Sequence, residues 1–195
     1  NGKFIYTSSS MVYGEFNNKI VTEESPTKPI SIYGSAKLAG EIITKGFCES
    51  FSLKYSIIRP SAVYGPTDVN RRVVQIFMEN AFRGKKIVLN GPQSKIDFTY
   101  IADLVQGYEK VINSHRSENQ IFNITRGNAR SLLDLARTIQ RYFPKIKILK
   151  KEHEKGVPKR GTLSILKAKK LINFSPKFDL EKGIKNYFNY YKFRW

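Results

Sequence analysis

The sequence predicts an α/β fold, in which a parallel sheet is flanked by helices. Short apolar runs bounded by turn residues alternate with longer segments of helical period, which is the pattern of βαβ units. The apolar run at residues 55–59, for example, follows a helical segment and stops at Pro60. Hydrophobic residues make up 41% of the 195-residue chain, which is enough for a packed core.

Each element follows from its local pattern. The predicted strands cover residues 4–8, 55–59, 86–89, 96–100 and 120–125, with a further strand near Ile146. The predicted helices cover residues 33–51, 73–82, 103–112, 131–142, a short segment at Ala168, and residues 180–191. Ser31 and Ser131 precede two of these helices and can cap them, because a serine hydroxyl accepts from the free N–H groups of a first turn.

The formal net charge of +18 raises the question of nucleic-acid binding. Lysines and arginines crowd residues 145–170, where lysines alternate with the apolar Ile146, Ile148 and Leu149, as on a strand with one solvated face. The chain is also rich in lysine throughout. We therefore expect solvated surface lysines and no nucleic-acid partner.

Two further classes are disfavoured. The sequence has no run of about 18 apolar residues and no basic start followed by an apolar run, so we expect a soluble cytoplasmic protein with no membrane association. The single cysteine, Cys48, has no partner for a disulfide and is expected to pack within a helix. His115 and His153 lie in polar surroundings outside any ligand motif, so no metal site is expected.

Tyr33 and Lys37 form the most informative pair in the sequence. They are four residues apart at a predicted helix start, so their side chains share one helix face. An ammonium beside a phenol favours the phenolate, which lets the tyrosine exchange a proton with a sugar hydroxyl. A serine at the preceding strand end, within residues 8–10, can hydrogen-bond the same oxygen. The spacing alone is weak evidence, because such pairs are common on helices.

The surrounding motifs give the pair its context. They are residues 4–14 (FIYTSSSMVYG), 29–41 (PISIYGSAKLAGE), 59–66 (RPSAVYGP), 97–103 (DFTYIAD), 122–125 (FNIT) and 158–161 (PKRG). In this order they closely resemble the extended short-chain dehydrogenase/reductase family, specifically its NAD-dependent nucleotide-sugar epimerases and dehydratases of the UDP-glucose 4-epimerase type. The resemblance covers nearly the whole chain.

The resemblance implies a role for five residues around the cofactor. Ser9, Tyr33 and Lys37 take the positions of the catalytic serine, tyrosine and lysine. Tyr33 and Lys37 are also implied to contact the cofactor, which is NAD with NADP as an alternative. Pro60 and Ser61 are implied to lie against its nicotinamide end.

The nucleotide-sugar substrate is implied to contact Ser9, Ser10, Ala62 and Arg160. Ala62 stands where many relatives have an asparagine that contacts the substrate diphosphate, and Ile96 stands where they have an arginine. An isoleucine cannot hold phosphate oxygens, so Arg160 is the strongest candidate for a phosphate clamp.

Other charged residues have weaker functional interpretations. Arg71 and Arg72 are lesser candidates for phosphate binding. Asp97 and Asp103 are expected to fix local structure. Lys95, next to Ile96 on a predicted strand, is expected to point to the opposite side.

The implied reaction is epimerisation at carbon 4 of a nucleotide-linked hexose through a transient 4-keto sugar, in surface polysaccharide synthesis. Ser10 and Met11 stand where the family's dehydratases commonly have Asp-Glu, and neither exchanges a proton usefully near neutral pH, so elimination is disfavoured. A 4-keto-sugar reductase or epimerase-reductase remains an alternative. A catalytically silent fragment that acts at most as a binding module is another.

The resemblance also implies an organisation. Residues 1–66 and 97–126 correspond to the C-terminal part of a Rossmann-type NAD-binding domain, and residues 67–96 and 127–195 to a small substrate-binding lobe. The glycine-rich turn that opens the family's fold is not in the sequence, and the first residues align with about its fifth strand. A homodimer is expected, because relatives often dimerise through the helix that carries the tyrosine.

Overall fold

Strands and helices alternate along the chain, as the apolar pattern predicts. The computed structural model describes residues 2–17, 20–152 and 158–193. The strands in these ranges are β1 (Lys3–Thr7), β2 (Lys54–Pro60), β3 (Val63–Tyr64), β4 (Ile87–Asn90), β5 (Lys95–Ile96), β6 (Thr99–Tyr100), β7 (Gln120–Ile124), β8 (Arg130–Ser131) and β9 (Ile148–Lys151). The α-helices are α1 (Ile32–Ser50), α2 (Val73–Phe82), α3 (Ile101–Asn113), α4 (Leu132–Gln140), α5 (Leu166–Ile172) and α6 (Leu180–Lys192).

The central sheet is parallel and has the order β1-β2-β7. Thr7 lies opposite Ile58, and Pro60 lies opposite Ile124, so the three strands end close to one another. Ile57, Ile58 and Phe122 are buried within the sheet. The shared carboxyl edge is where an open parallel sheet binds ligands. The predicted α/β fold is confirmed.

Helix α1 leads from the first strand to the second. The Ser31 hydroxyl caps it by accepting from Gly34 N at 3.1 Å, as predicted. Glu41 and Thr44 are buried on its inner face, and Cys48 is buried there too, in agreement with its predicted packing role. On its outer surface, Ile42, Ile43 and Phe47 are exposed.

A second core lies on the far side of the carboxyl edge. Helices α2 and α4 pack against each other and against β4, which pairs with β9, while α6 packs against α4 and β6. Together these elements bury the largest apolar cluster in the described residues. Ser131 caps α4 with a full capping box, because its hydroxyl accepts from Asp134 N while the Asp134 carboxylate accepts from Ser131 N. Helix α5 instead packs against β7.

Three predicted boundaries are wrong. The single strand predicted for residues 96–100 is two short strands, because β5 pairs antiparallel with β8 while β6 pairs parallel with β3. Asp97 lies between them, with its carboxylate turned into the interior. The strand predicted near Ile146 begins at Ile148, and α4 ends at Gln140, short of Tyr142.

A buried ion pair joins α1 to the sheet. The Arg59 guanidinium donates to both carboxylate oxygens of Glu41, at 2.8 and 2.6 Å. Glu41 also accepts from the Ser8 hydroxyl at 2.5 Å, and Arg59 donates to the Tyr13 hydroxyl at 2.8 Å. All four side chains are buried. The pair therefore fixes the ends of β1 and β2 against the inner face of α1.

The network continues to the third strand. The Tyr13 hydroxyl donates to Asn123 Oδ1 at 2.8 Å, and Asn123 N donates to the Glu23 carboxylate at 2.7 Å. Burial raises the pKa of Tyr13 to about 12, so the phenol keeps the proton that it donates. The carboxyl ends of β1, β2 and β7 are thus joined through side chains as well as through the backbone.

Replacing one partner of the ion pair should be costly. We expect Glu41→Gln to lower the free energy of unfolding by about 3–5 kcal/mol, because the amide directs N–H groups at the buried guanidinium and leaves its charge uncompensated. Urea denaturation measures the loss. Glu49→Gln, an exposed carboxylate on the same helix, is the control and should change stability by less than about 0.5 kcal/mol. Equal effects of the two variants would contradict the role given to the pair.

Candidate active site

The serine run lies directly after β1. Ser8 continues the strand, because its N–H donates to the Ile58 carbonyl at 2.8 Å. Ser9 then caps the 3₁₀ turn Ser10–Tyr13, with its hydroxyl oxygen accepting from Met11 N at 3.2 Å. Since the oxygen is the acceptor in this bond, the hydroxyl hydrogen of Ser9 is retained for donation to a ligand oxygen.

Gly34 places the start of α1 against this turn. A Cβ at Gly34 would lie only 2.6 Å from the Met11 carbonyl oxygen and 3.1 Å from Pro29 Cβ. The approach of helix to turn therefore requires a glycine. Tyr33, the residue before it, is consequently carried beside the turn that Ser9 begins.

Lys37 bridges strand β1 and the tyrosine. Its ammonium donates to the Thr7 carbonyl at 2.9 Å and lies 5.7 Å from the centroid of the Tyr33 ring. The ring of Tyr6 is at a similar distance, 5.5 Å. Tyr33 itself is 56% exposed, so its phenol is open to a ligand. Tyr33 and Lys37 therefore lie on one face of α1, as predicted.

Arg160 joins the ends of two strands. Its Nη2 donates to the Ser10 hydroxyl at 2.7 Å and to the Ser61 hydroxyl at 3.0 Å. Ser61 is buried and follows Pro60, the last residue of β2. Burial lowers the pKa of Arg160, and the charge of nearby Asp97 acts in the opposite direction. An arginine remains protonated in such surroundings, so the site contains a cation.

Asp97 ties the surrounding segments together. Its carboxylate accepts from the Thr125 hydroxyl and Gly127 N at 3.1 Å, and from Leu163 N at 3.2 Å. These contacts connect the end of β7 to the segment that follows Arg160. Asp103 has a similar function, since it accepts from Lys177 N and Phe178 N at 2.6 and 3.0 Å. Both aspartates fix local structure, as predicted.

A cavity of about 330 Å³ adjoins Arg160. Its wall consists of residues 91–95 and the pair Lys159 and Arg160. Lys95 lines this cavity, so strand alternation from Ile96 does not remove it from the neighbourhood of Arg160. The Ser94 hydroxyl is buried with no hydrogen-bond partner in the described part of the chain. Sequence reasoning missed Ser94, which lies in no motif, and Lys159, which lies within the motif of residues 158–161 but is given no role by it.

Ala62 lies in the loop between β2 and β3. Its backbone has a φ of 37°, in the region that asparagine and glycine tolerate better than alanine. The asparagine of many relatives is therefore compatible with this backbone. In this chain the methyl group of Ala62 packs against the second core and offers no hydrogen bond to a ligand.

The remaining candidates lie elsewhere. Arg71 pairs with Glu79 at 3.4 Å, and Arg72 pairs with Asp68 at 3.6 Å, so both arginines serve surface ion pairs. His115 is exposed and contacts the Glu118 carboxylate. His153 lies outside the described residues. Within residues 2–17, 20–152 and 158–193 no group of three metal-ligating side chains comes together, and no helix is long and apolar enough to cross a membrane.

Residues 1–125 match the NAD dependent epimerase/dehydratase family model. The UDP-glucuronic acid 4-epimerase of Bacillus cereus, solved with UDP-glucuronic acid and NAD, is similar with a TM-score of 0.91 and 28% identity, over 99% of this chain and 62% of that chain. The UDP-glucose 4-epimerase of Thermotoga maritima, solved with UDP-glucose, is similar with a TM-score of 0.90 and 30% identity, over 98% of this chain and 64% of that chain. The uncharacterized UDP-glucose epimerase YtcB of Bacillus subtilis is 30% identical over 186 residues, 94% of this chain and 58% of its own length.

A parallel sheet whose carboxyl edge carries a serine, and a tyrosine with a lysine four residues later, is the arrangement of the short-chain dehydrogenase/reductase type. The chain belongs to the NAD dependent epimerase/dehydratase family. It spans about three-fifths of the length of the curated relatives that it matches.

Gly34 gives a direct test of how the tyrosine is positioned. We expect Gly34→Ala to displace the start of α1 from the serine turn and to destabilise the protein by about 1–3 kcal/mol, because its Cβ meets backbone atoms. Gly46→Ala is the matched control on the same helix, since a Cβ there meets nothing within 4 Å. It should stabilise by about 0.5–1 kcal/mol through helix propensity. Thermal denaturation of the two variants measures both effects, and a stabilised Gly34→Ala would contradict the packing.

The Asp97 carboxyl should make stability depend on pH. Burial raises its pKa to about 6, above the value of about 4 in an unfolded chain. The folded protein therefore holds this proton more tightly, and the resulting stabilisation is full below about pH 4 and lost as the pH rises through about 6. We expect the melting temperature of the wild type minus that of Asp97→Asn to fall between these limits. A flat profile would contradict the assignment.

Proposed function

We propose that the protein is an NAD-dependent epimerase that inverts carbon 4 of a nucleotide-linked hexose through a transient 4-keto sugar. The observation that carries this proposal is the position of the Lys37 ammonium, 2.9 Å from the Thr7 carbonyl oxygen and 5.7 Å from the centroid of the Tyr33 ring. A cation fixed beside an accessible phenol, on a helix that packs against the turn begun by Ser9, is suited to proton exchange with a sugar hydroxyl. The two solved 4-epimerases described above support the choice of carbon 4.

The residues at the carboxyl edge fit the cofactor of the family. The Tyr33 phenol is open to solvent, and Pro60 and Ser61 end β2 beside the serine turn. We assign Tyr33 and Lys37 to the nicotinamide ribose, and Pro60 and Ser61 to the nicotinamide end. When bound there, NAD would take a hydride from carbon 4 and return it to the opposite face of the ketone.

The side chains of this protein transfer the proton of the sugar 4-hydroxyl. Tyr33, as the phenolate that the Lys37 ammonium stabilises, removes the proton from the 4-hydroxyl and becomes a phenol. Ser9 donates its hydroxyl hydrogen to the same sugar oxygen and shares the charge that develops there as the alcohol becomes a ketone. Tyr33 returns the proton when the sugar, turned over in the site, is reduced.

Two neighbouring residues favour epimerisation over elimination. Loss of water from the sugar requires an acid and a base next to the catalytic serine. Ser10 occupies that position and accepts a hydrogen bond from Arg160, while Met11 has a thioether. Neither side chain exchanges a proton near neutral pH.

We propose the same division of labour along the chain as the sequence predicts. Residues 1–66 and 97–126 serve the cofactor, and residues 67–96 and 127–195 serve the nucleotide sugar. The apolar cluster of α2, α4 and α6, together with the cavity next to Arg160, supports this assignment.

We also propose a homodimer formed through α1. Ile42, Ile43 and Phe47 are 63%, 68% and 55% exposed on this helix, and the Phe51 ring stacks 4.5 Å from that of Phe47. A contiguous apolar surface of this kind is typical of an interface between subunits.

Tyr33→Phe tests the proposed function. We expect the variant to lose about 10²–10⁴-fold in kcat for conversion of a UDP-hexose to its 4-epimer in the presence of NAD, with a smaller change in KM, because the phenol acts on the reacting proton. NMR of the sugar anomeric protons measures turnover. Tyr55→Phe, at the opposite end of β2, is the control and should retain activity. Net formation of reduced nicotinamide, or full activity of Tyr33→Phe, would contradict the proposal.

A further inference from the structure

Arg160 and the two serines that it contacts form a cluster at the reacting end of the site. Ser10 follows the catalytic Ser9 directly, and Ser61 follows the last residue of β2. The Arg160 guanidinium lies between them, at 2.7 and 3.0 Å from their hydroxyl oxygens. The cation is therefore beside the position proposed for sugar carbon 4.

The charge of Arg160 is not neutralised by an ion pair within the described residues. Its neighbour Asp97 is the nearest candidate, but the Asp97 carboxylate is engaged by Thr125, Gly127 and Leu163. By contrast, Arg59, which is buried, is paired with Glu41 in bidentate fashion. A partly buried cation without a carboxylate partner among the described residues is suited to an anionic ligand.

The two hydroxyls complete a set of donors. Ser10 and Ser61 both accept from Arg160, so each keeps its own hydrogen for donation to a ligand. The remaining guanidinium N–H groups add further donors in one plane. Such a set matches the two oxygens of a carboxylate, which is planar and accepts at both.

The substrate diphosphate has other cations available. The adjoining cavity is lined by Lys95 and Lys159, and by Ser94, whose hydroxyl has no hydrogen-bond partner among the described residues. The Arg160 cluster is thus free to receive a second anion, carried by the sugar itself.

Resting on the function proposed above, we infer that the preferred substrate is a nucleotide-linked uronic acid, whose carbon-6 carboxylate binds Ser10, Ser61 and Arg160. Carbon 5 is bonded to carbon 4, so its carboxylate lies a few ångströms from the 4-hydroxyl. The Cα atoms of adjacent residues such as Ser9 and Ser10 are about 3.8 Å apart, a distance similar to that between the 4-hydroxyl and the carboxylate. Ser9 then binds the 4-hydroxyl and Ser10 binds the carboxylate.

Calorimetric titration of the protein with UDP-glucuronic acid and UDP-glucose, in the presence of NAD, tests this inference, because the two probes differ only at carbon 6. We expect UDP-glucuronic acid to bind at least about tenfold more tightly, as a charged hydrogen-bonding set implies. Equal affinities would overturn the inference and leave the proposed function standing. If neither probe binds, the proposed function falls and the inference with it.

Variants test which residues cause the preference for UDP-glucuronic acid over UDP-glucose. Ser10→Ala combined with Ser61→Ala should reduce the preference to less than about threefold, because the carboxylate loses both hydroxyl donors. Arg160→Met should remove the preference, and Arg141→Met, at an exposed arginine after α4, should preserve it. Circular dichroism confirms that each variant is folded. If Arg160→Met weakens both probes equally, the guanidinium serves the diphosphate and the inference is overturned.

Discussion

The geometry of the candidate site depends on the buried ion pair of Arg59 and Glu41. The pair connects the middle strand of the sheet to the helix that carries Tyr33 and Lys37, and through Ser8 it reaches the strand that delivers Ser9. Burying two charges is expensive, and an apolar pair of the same shape could be as stable. The ion pair adds directionality, because the two hydrogen bonds of the bidentate pair allow one placement of the helix on the sheet, whereas apolar contacts allow several.

The fold could be predicted from the sequence because βαβ units have strong local signals. The apolar run of β2, the serine cap of α1 and the capping box of α4 all depend on residues within a few positions of one another. Predictions were wrong where distant residues decide the outcome. The chain between Ile96 and Thr99 leaves the strand because the Asp97 carboxylate bonds to segments about 30 and 66 residues away along the chain.

The candidate site divides in the same way. The spacing of Tyr33 and Lys37 predicted that they share a face, and the motifs named Ser10, Ser61 and Arg160 separately. Their contact could not be predicted, because Arg160 is 150 residues from Ser10 and 99 from Ser61. The burial of Glu41 could not be predicted either, because its partner Arg59 lies on another element, 18 residues along the chain. Strand alternation predicts that Lys95 points away from the side of Ile96, but β5 has only two residues, which is too short for alternation to decide the position of a side chain.

The anchor of Lys37 has a consequence for how this site tolerates change. The ammonium binds the carbonyl of Thr7, a main-chain atom, while the Thr7 side chain turns to the Tyr108 hydroxyl on α3. Substituting residue 7 therefore leaves the lysine its acceptor, whichever side chain is introduced. The acceptor is lost only if the first strand slides against the second. The alignment of the Lys37 ammonium with the Tyr33 phenol therefore depends on the register of β1 and not on the side chain at position 7.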